Sequence, residues 1–352
     1  VKDVLAGKTV RLSPWITRHA EGTRGSCSKA DVETMLKLNH LYFTQPRFDS
    51  SAIEGYLSRY KTQITSFRNS PDFGFTDTIT QVLHGNSPRF FFLPDPKRID
   101  HELDYERAES IYKERFADAG DFSFIFVGNI DEDRLKPLVE KYIASLPDRG
   151  NKDDVPAKPY FNFEGKKDVE VYAGQAEKSM VNITYAGNYD SAHTDEQALT
   201  VLTEILKVKL RNTLREEKSG VYGINVGSNI YDYPSDAFKM DVSFECAPSM
   251  VDELVAAVEK EIHKQQVEGP EKSGMSKAKM VLRKEFERQS KDNRFWQRQI
   301  REAILTDGKA SHVLQDYMEE IQGVTAKDVQ RVAKIYLTKN SKMKAILFPE
   351  KR

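Results

Sequence analysis

The seven histidines are His19, His40, His84, His101, His193, His263 and His312, and no two stand within five residues of each other. A zinc pair on one helix needs two imidazoles four residues apart, so that both reach one ion. His101-Glu102 opens like H-E-x-x-H, but Tyr105 fills the fifth place, and the inverse order H-x-x-E-H is absent. Isolated histidines are expected here as surface or hydrogen-bonded structural residues. No G-x-S-x-G elbow, phosphate loop or G-x-G-x-x-G occurs; Gly220, Gly223 and Gly227 stand singly, as in turns and strand irregularities. Cys27 and Cys246 are too few for a disulfide framework or a cysteine zinc site, and one bridge between them stays open. The segment 272–301 holds ten basic and three acidic residues interleaved with Phe286, Phe295 and Trp296. Such a stripe either binds a polyanion or is the solvated face of a helix, with Met280, Phe286, Phe295 and Ile300 turned inward. The most informative stretch is Leu210-Arg-Asn-Thr-Leu-Arg-Glu-Glu-Lys-Ser-Gly-Val-Tyr-Gly223, in which Arg215 and Tyr222 stand seven positions apart. Both have an ordinary structural reading: arginine complements a helix C-terminus through the dipole, and tyrosine suits a strand.

Apolar spacing sets out the elements that must position these residues. A short strand is expected at Thr9-Val10-Arg11-Leu12, then a helix after Ser28-Lys29-Ala30-Asp31, which has capping-box form. A second helix follows Asp49. After a polar loop come a helix over 102–117, a strand over 122–127 and a helix from Asp131 to Leu146. The stretch 147–159, PDRGNKDDVPAKP, holds three prolines, a glycine and six charges. It marks a boundary between a first domain (1–150) and a second (160–352), with 151–159 as linker. In the second half, strands are expected at 168–173 and 180–186. A long helix follows from Thr194-Asp-Glu-Gln197, with Leu199, Leu202, Leu206, Leu210 and Leu214 at helical spacing. Ser219-Gly220 breaks it before a strand over 221–228. The next strand, 238–246, alternates apolar and polar residues, as a sheet with one buried face requires. Helices over 249–268 and 274–305, a helix from Thr325 and a strand over 343–348 complete the chain. Arg107…Ile111-Tyr112 and Arg331…Ile335-Tyr336 match at a constant offset of 224, each ahead of a strand, as a duplicated unit would have it.

The chain has 352 residues, a size that suits two domains, with 53 basic and 54 acidic residues giving a net charge of −1. Neither half is a basic or acidic module, which disfavours nucleic acid as partner. A hydrophobic content of 39%, with 19 Phe and 15 Tyr, can build a core and excludes a disordered chain. No apolar run reaches the roughly 20 residues of a membrane span. The opening VKDVLAGKTVRL has no signal-peptide form, and a start at Val1 is read as the loss of something upstream.

The order L-R-E-x-x-x-G-x-Y, after an apolar helix and before a strand, resembles the pitrilysin/insulinase family of zinc peptidases. Leu5-x-Gly-Lys-x-Val10, LKLNHLYFTQPRF over 36–48 and Val127-Gly-Asn-Ile…Ser145-Leu-Pro147 are similar to the start, first helix and end of its third domain. Lys218-Ser219-Gly220 departs from the pattern, since Ser219 replaces the first of two glycines often seen. The resemblance implies the C-terminal half of a clamshell: α+β, two related two-layer domains, each a mostly antiparallel sheet with helices mainly on one face. It implies that Arg215 and Tyr222 reach a zinc site in a missing N-terminal half, where zinc-bound water attacks the scissile carbonyl. Tyr222 would then donate to the carbonyl oxygen, and Arg215 would add fixed positive charge and hold substrate backbone. No zinc or other cofactor is expected in this chain, and the chain alone is expected to be inactive. Expected partners are the zinc-bearing half, in the same polypeptide or as a separate subunit, and a peptide or protein substrate. No nucleic acid or membrane span is expected, and a homodimer of the isolated half is a further expectation. Other readings are a non-catalytic scaffold subunit of a heteromeric peptidase and a polyanion-binding module at 272–301. A bacterial periplasmic or envelope location fits the family's single-chain members.

Overall fold

The alternating segment of the second half lies inside a five-stranded sheet, as the strand Ala237–Cys246, with Phe238, Met240, Val242, Phe244 and Cys246 all buried. The computed structural model describes residues 5–85, 87, 90, 92–150, 159–190, 195–217, 221–306 and 316–350. Contacts divide the chain into two units. One comprises Val1–Thr62, Pro94–Pro156 and Trp296–Ile304; the other comprises Gln63–Leu93, Ala157–Phe295 and Leu305–Arg352. Most of the expected linker (151–158), Thr194, the Lys218-Ser219-Gly220 turn, His193 and His312 lie outside the described residues.

In the first unit, β1 (Val10–Ile16) and β2 (Glu21–Cys27) form an antiparallel pair. Helix α1 (Val32–Thr44) packs on this pair and on α6 (Glu132–Tyr142). Ser28 and Asp31 do not form the expected capping box. The Asp31 carboxylate instead accepts from Ser28 Oγ at 2.6 Å and from the Thr9 backbone N–H at 3.0 Å, tying the helix start to β1. Helix α2 (Ser50–Arg68) follows as expected, and the helix expected over 102–117 is α5 (Tyr105–Arg115), preceded by a short helix α4 (Pro96–Glu102) within the expected loop. Residues 122–127, expected as a strand, join no ladder among the described residues. Its aromatic residues serve a core instead: Phe122 meets Phe43 edge-on at 4.8 Å, beside Phe116 and Leu146.

In the second unit the sheet order is β3-β7-β4-β6-β5, with β3 (Gly165–Tyr172), β4 (Ser179–Asn188), β5 (Val221–Tyr231), β6 (Ala237–Cys246) and β7 (Ser341–Phe348). β3 pairs parallel with β7, and the other neighbours are antiparallel, so the sheet is mixed. One face packs on α7 (Asp195–Arg211), α8 (Val251–Val267) and α12 (Ala326–Tyr336). Leu202, Leu206, Leu210 and Leu214 are all fully buried there. Burial of each such side chain is worth about 1.5–3 kcal/mol before entropy is counted. On the opposite face lies α3 (Pro71–His84), within the stretch expected as a polar loop. Phe75 packs on Ala345 and Leu347, and Leu83 on Phe161, Phe163 and Met343. The local signals for α3 are complete: Ser70 caps the Phe73 N–H at 3.3 Å, Pro71 stands at its first position, and Gly85 ends it at φ 60°.

Ion pairing fixes the start of α7. The Asp195 side chain is 2% exposed; it pairs with Arg331 and accepts from Tyr336 Oη at 2.7 Å, both on α12. Thr325 and Asp328 close a capping box at the head of α12. The internal match at offset 224 is legible in the helices: Tyr112 and Tyr336 turn inward while Ile111 and Ile335 are exposed. It fails in the strands that follow, since 122–127 joins no ladder while β7 is paired on both sides. The helix expected over 274–305 is interrupted at 290–292, giving α9 (Lys272–Gln289) and α10 (Asn293–Leu305). α11 (Tyr317–Gly323) precedes α12.

Candidate functional site

Helix α7 leads directly to the first candidate residue. At Arg211 the α-helix gives way to a π-helical turn, Asn212–Glu217. Such turns are rare and frequent at functional sites. Leu214 stays fully buried within it, so the turn remains anchored in the core, while its neighbour Arg215 is exposed. The expected position of Arg215 near the end of the helix therefore holds, with the end widened into the π-turn.

Tyr222 is the second residue of β5. The pairing with β6 shifts there: Val221 lies opposite Cys246, and the next pair is Ile224 with Phe244. Three steps on β5 match two on β6, so a bulge falls on Tyr222-Gly223. Bulges bend a strand locally and re-aim its side chains, commonly next to active sites. The lone glycine in the strand pattern was its sequence signal. Beyond the bulge, Val226 is buried toward α7, and Thr203 Oγ1 of α7 lies 2.9 Å from Ser228 Oγ. Strand β5 and helix α7 are thus packed on each other, with Arg215 in the turn that leaves α7 and Tyr222 at the start of β5.

Beside the π-turn, α7 and α9 enclose a cavity of about 170 Å³ lined by Glu204, Lys209, Asn212, Glu271, Ser273 and Lys277, among others. Its charges are in part neutralised internally. Lys209 Nζ donates to Glu271 at 3.0 Å, Lys264 stands 3.6 Å from the same carboxylate, and Lys207 lies 3.5 Å from Glu204. The hydrogen bond from Lys209 holds the Glu271 carboxyl below the usual carboxylate range.

The other candidates find structural places. Among the described residues no group of three or more His, Cys, Asp and Glu is placed to hold a metal ion. His84 Nδ1 lies 2.9 Å from the Tyr160 carbonyl, and its ring stacks on Phe90 at 3.8 Å. His40 Nδ1 lies 3.0 Å from the Tyr142 carbonyl. Cys27 and Cys246 are both free thiols, so no bridge forms; burial pushes the Cys246 thiol up to about 11. Along 272–301, Arg283 pairs with Glu287, Arg288 with Glu285 and Arg294 with Asp292, and Phe295 is buried edge-on to Phe286. Met280, expected inward, is 55% exposed. No helix among the described residues is long and apolar enough to cross a membrane.

A zinc protease PQQL-like protein of Arabidopsis thaliana is 25% identical over 290 residues, covering 76% of this chain and 29% of that protein. A probable zinc protease PqqL of Haemophilus influenzae is 22% identical over 264 residues, covering 72% of this chain and 27% of that protein. The chain thus spans less than a third of the length of these relatives. Among solved structures, the periplasmic protease PqqL from Escherichia coli superposes with a TM-score of 0.81 at 17% identity, over 99% of this chain and 38% of that one. The ferredoxin protease FusC, solved in complex with Arabidopsis ferredoxin, gives 0.79 at 15% identity, over 99% of this chain and 38% of that one. A peptidase M16 inactive domain from Pseudomonas fluorescens gives 0.75 at 16% identity, over 97% of this chain and 81% of that one. The family model described as the peptidase M16 inactive domain matches residues 102–282, a span that includes α7, the π-turn and β5, and the chain belongs to that family.

Proposed function

We propose that this chain is the C-terminal half of a zinc-dependent endopeptidase and that it supplies Arg215 and Tyr222 to an active site completed by a zinc-bearing N-terminal half. The observation that supports this most is the backbone at the two residues whose spacing matches the family pattern: Arg215 lies in a π-turn and Tyr222 in a bulge. Membership in the inactive-domain family and the names of the relatives, zinc proteases much longer than this chain, support the same reading. In this reading the metal belongs to the other half, as membership in a family described as an inactive domain supports.

In this reading the chain's own residues act on the substrate backbone. Tyr222 donates its phenolic hydrogen bond to the scissile carbonyl oxygen as negative charge develops on it. Arg215 adds a fixed cation and a planar pair of donors for a neighbouring carbonyl. The substrate is a polypeptide, and the complex of a related protease with ferredoxin supports a protein as the natural target. A periplasmic location follows the solved relative from Escherichia coli. Reconstitution tests the proposal. The 352-residue chain alone is expected to leave a quenched fluorescent peptide intact, and mixing with the zinc-bearing half is expected to produce chelator-sensitive cleavage. Cleavage by the chain alone, or a zinc half equally active without it, would reject it.

A further inference from the structure

The two edges of the five-stranded sheet differ in kind. β3, at one edge, reads GKKDVEVY and carries Lys166, Lys167, Asp168 and Glu170. β5, at the other, reads VYGINVGSNIY, eleven residues without a charge or a proline. An edge strand presents a row of unpaired N–H and C=O groups, and proteins blunt such rows with charge, proline, shortness or a covering element. Charge blunts β3. β5 has neither charge nor proline, it is the longest strand of the sheet, and its bulge lies only at its start. Among the described residues its strand pairing is with β6 alone. Side-chain space along the strand is also open: a Cβ built on Gly223 or Gly227 meets nothing within 4 Å, and Gly223, Asn225 and Asn229 are exposed.

We propose that the outer edge of β5 is a docking strand on which an extended segment of the polypeptide substrate adds as a sixth strand of the sheet. This rests on the reading of Arg215 and Tyr222 as substrate-binding residues and extends it, since Tyr222 belongs to the same strand. Main-chain hydrogen bonds to alternate residues of β5 would hold the segment by its backbone, tolerating many sequences. The uncharged edge favours an uncharged stretch, and the two glycines leave room for side chains of the incoming strand. The occupant is an unfolded or locally unfolded segment, because only an extended backbone matches this row of groups.

Hydrogen–deuterium exchange on the full chain tests it, with dephosphorylated β-casein, an unfolded protein, as probe and fluorescence anisotropy to establish saturation. About four alternate amides within 223–231 are expected to exchange at least roughly tenfold more slowly with casein bound, while 165–172 on β3 is unchanged. Gly227→Lys, which places a charge where space exists, is expected to weaken casein binding at least roughly fivefold without changing the circular dichroism spectrum. Absence of casein binding overturns the proposal, as does binding that protects other segments only. Protection without casein that grows with protein concentration also overturns it, and assigns the edge to a second copy of this chain. Failure here with Arg215→Ala still lowering turnover of the reconstituted enzyme would reject the edge and keep the functional reading; protection of β5 with Arg215→Ala silent would do the reverse.

Discussion

Asp195→Ala tests whether α7, the element that carries the candidate site, is held by its buried ion pair. The carboxylate is 2% exposed and serves two partners, the Arg331 guanidinium and Tyr336 Oη at 2.7 Å. Removing one member of a buried pair costs about 3–5 kcal/mol, because the partner charge is left uncompensated. Arg331 is 37% exposed, so water recovers part of its loss and the lower end applies. Tyr336 is 5% exposed, and leaving its hydroxyl unpaired costs about 1–3 kcal/mol, a loss that overlaps the first. A total near 3 kcal/mol is expected for Asp195→Ala. Asp195→Asn keeps an acceptor for Tyr336 and loses only the charge, for about 1–2 kcal/mol. For a unit of this size, about 3 kcal/mol lowers Tm by roughly 6–12 °C. Urea unfolding followed by circular dichroism measures both variants. A loss under about 1 kcal/mol for Asp195→Ala, or equal losses for the two variants, would refute the reasoning.

Gly174 adopts φ 84°, and a Cβ there would stand 2.8 Å from Cγ of Pro71 at the head of α3. Gly174→Ala is therefore expected to cost at least about 1–2 kcal/mol in urea unfolding, and a neutral result would detach α3 from the sheet. Alkaline pH gives a second expectation. Burial pushes the Tyr112 and Tyr317 phenols up to about 12, and it raises Tyr185, Tyr189, Tyr231 and Tyr336 as well. The fold favours their protonated forms, so this stabilisation is complete below the unfolded phenol pKa of about 10 and is lost as pH rises toward 12 and above. Absorbance at 295 nm is expected to show a class of tyrosines that ionise only as the fold is lost. Titration of all tyrosines near pH 10 with unchanged circular dichroism would contradict it.

Periodicity carried most of the second unit. The alternation of Phe238 to Cys246 and the leucine spacing from Leu199 to Leu214 report one buried face each, and both are observed. What stayed illegible depends on contacts distant in sequence. Nothing in GKKDVEVY says that it pairs parallel with residues 341–348. The aromatic run at 122–127 has strand composition, but its rings are consumed by Phe43 and Phe116 rather than by a ladder. β2, EGTRGSC, has almost no apolar residues and was invisible to a hydrophobic pattern. α3 carries its own signals in Ser70-Pro71 and Gly85. At the candidate site, spacing located Arg215 and Tyr222, while the π-turn and the bulge that set their backbone required coordinates.

The central claim is that Tyr222 stabilises charge on the substrate carbonyl. The most direct measurement is kcat and KM for a quenched fluorescent peptide, with Tyr222→Phe in the chain reconstituted with its zinc-bearing half. Loss of one such donor is expected to lower kcat by roughly 10²–10³ with Tm within about 2 °C of the parent. A kcat within about threefold of the parent would contradict the account and return Tyr222 to a structural residue of β5.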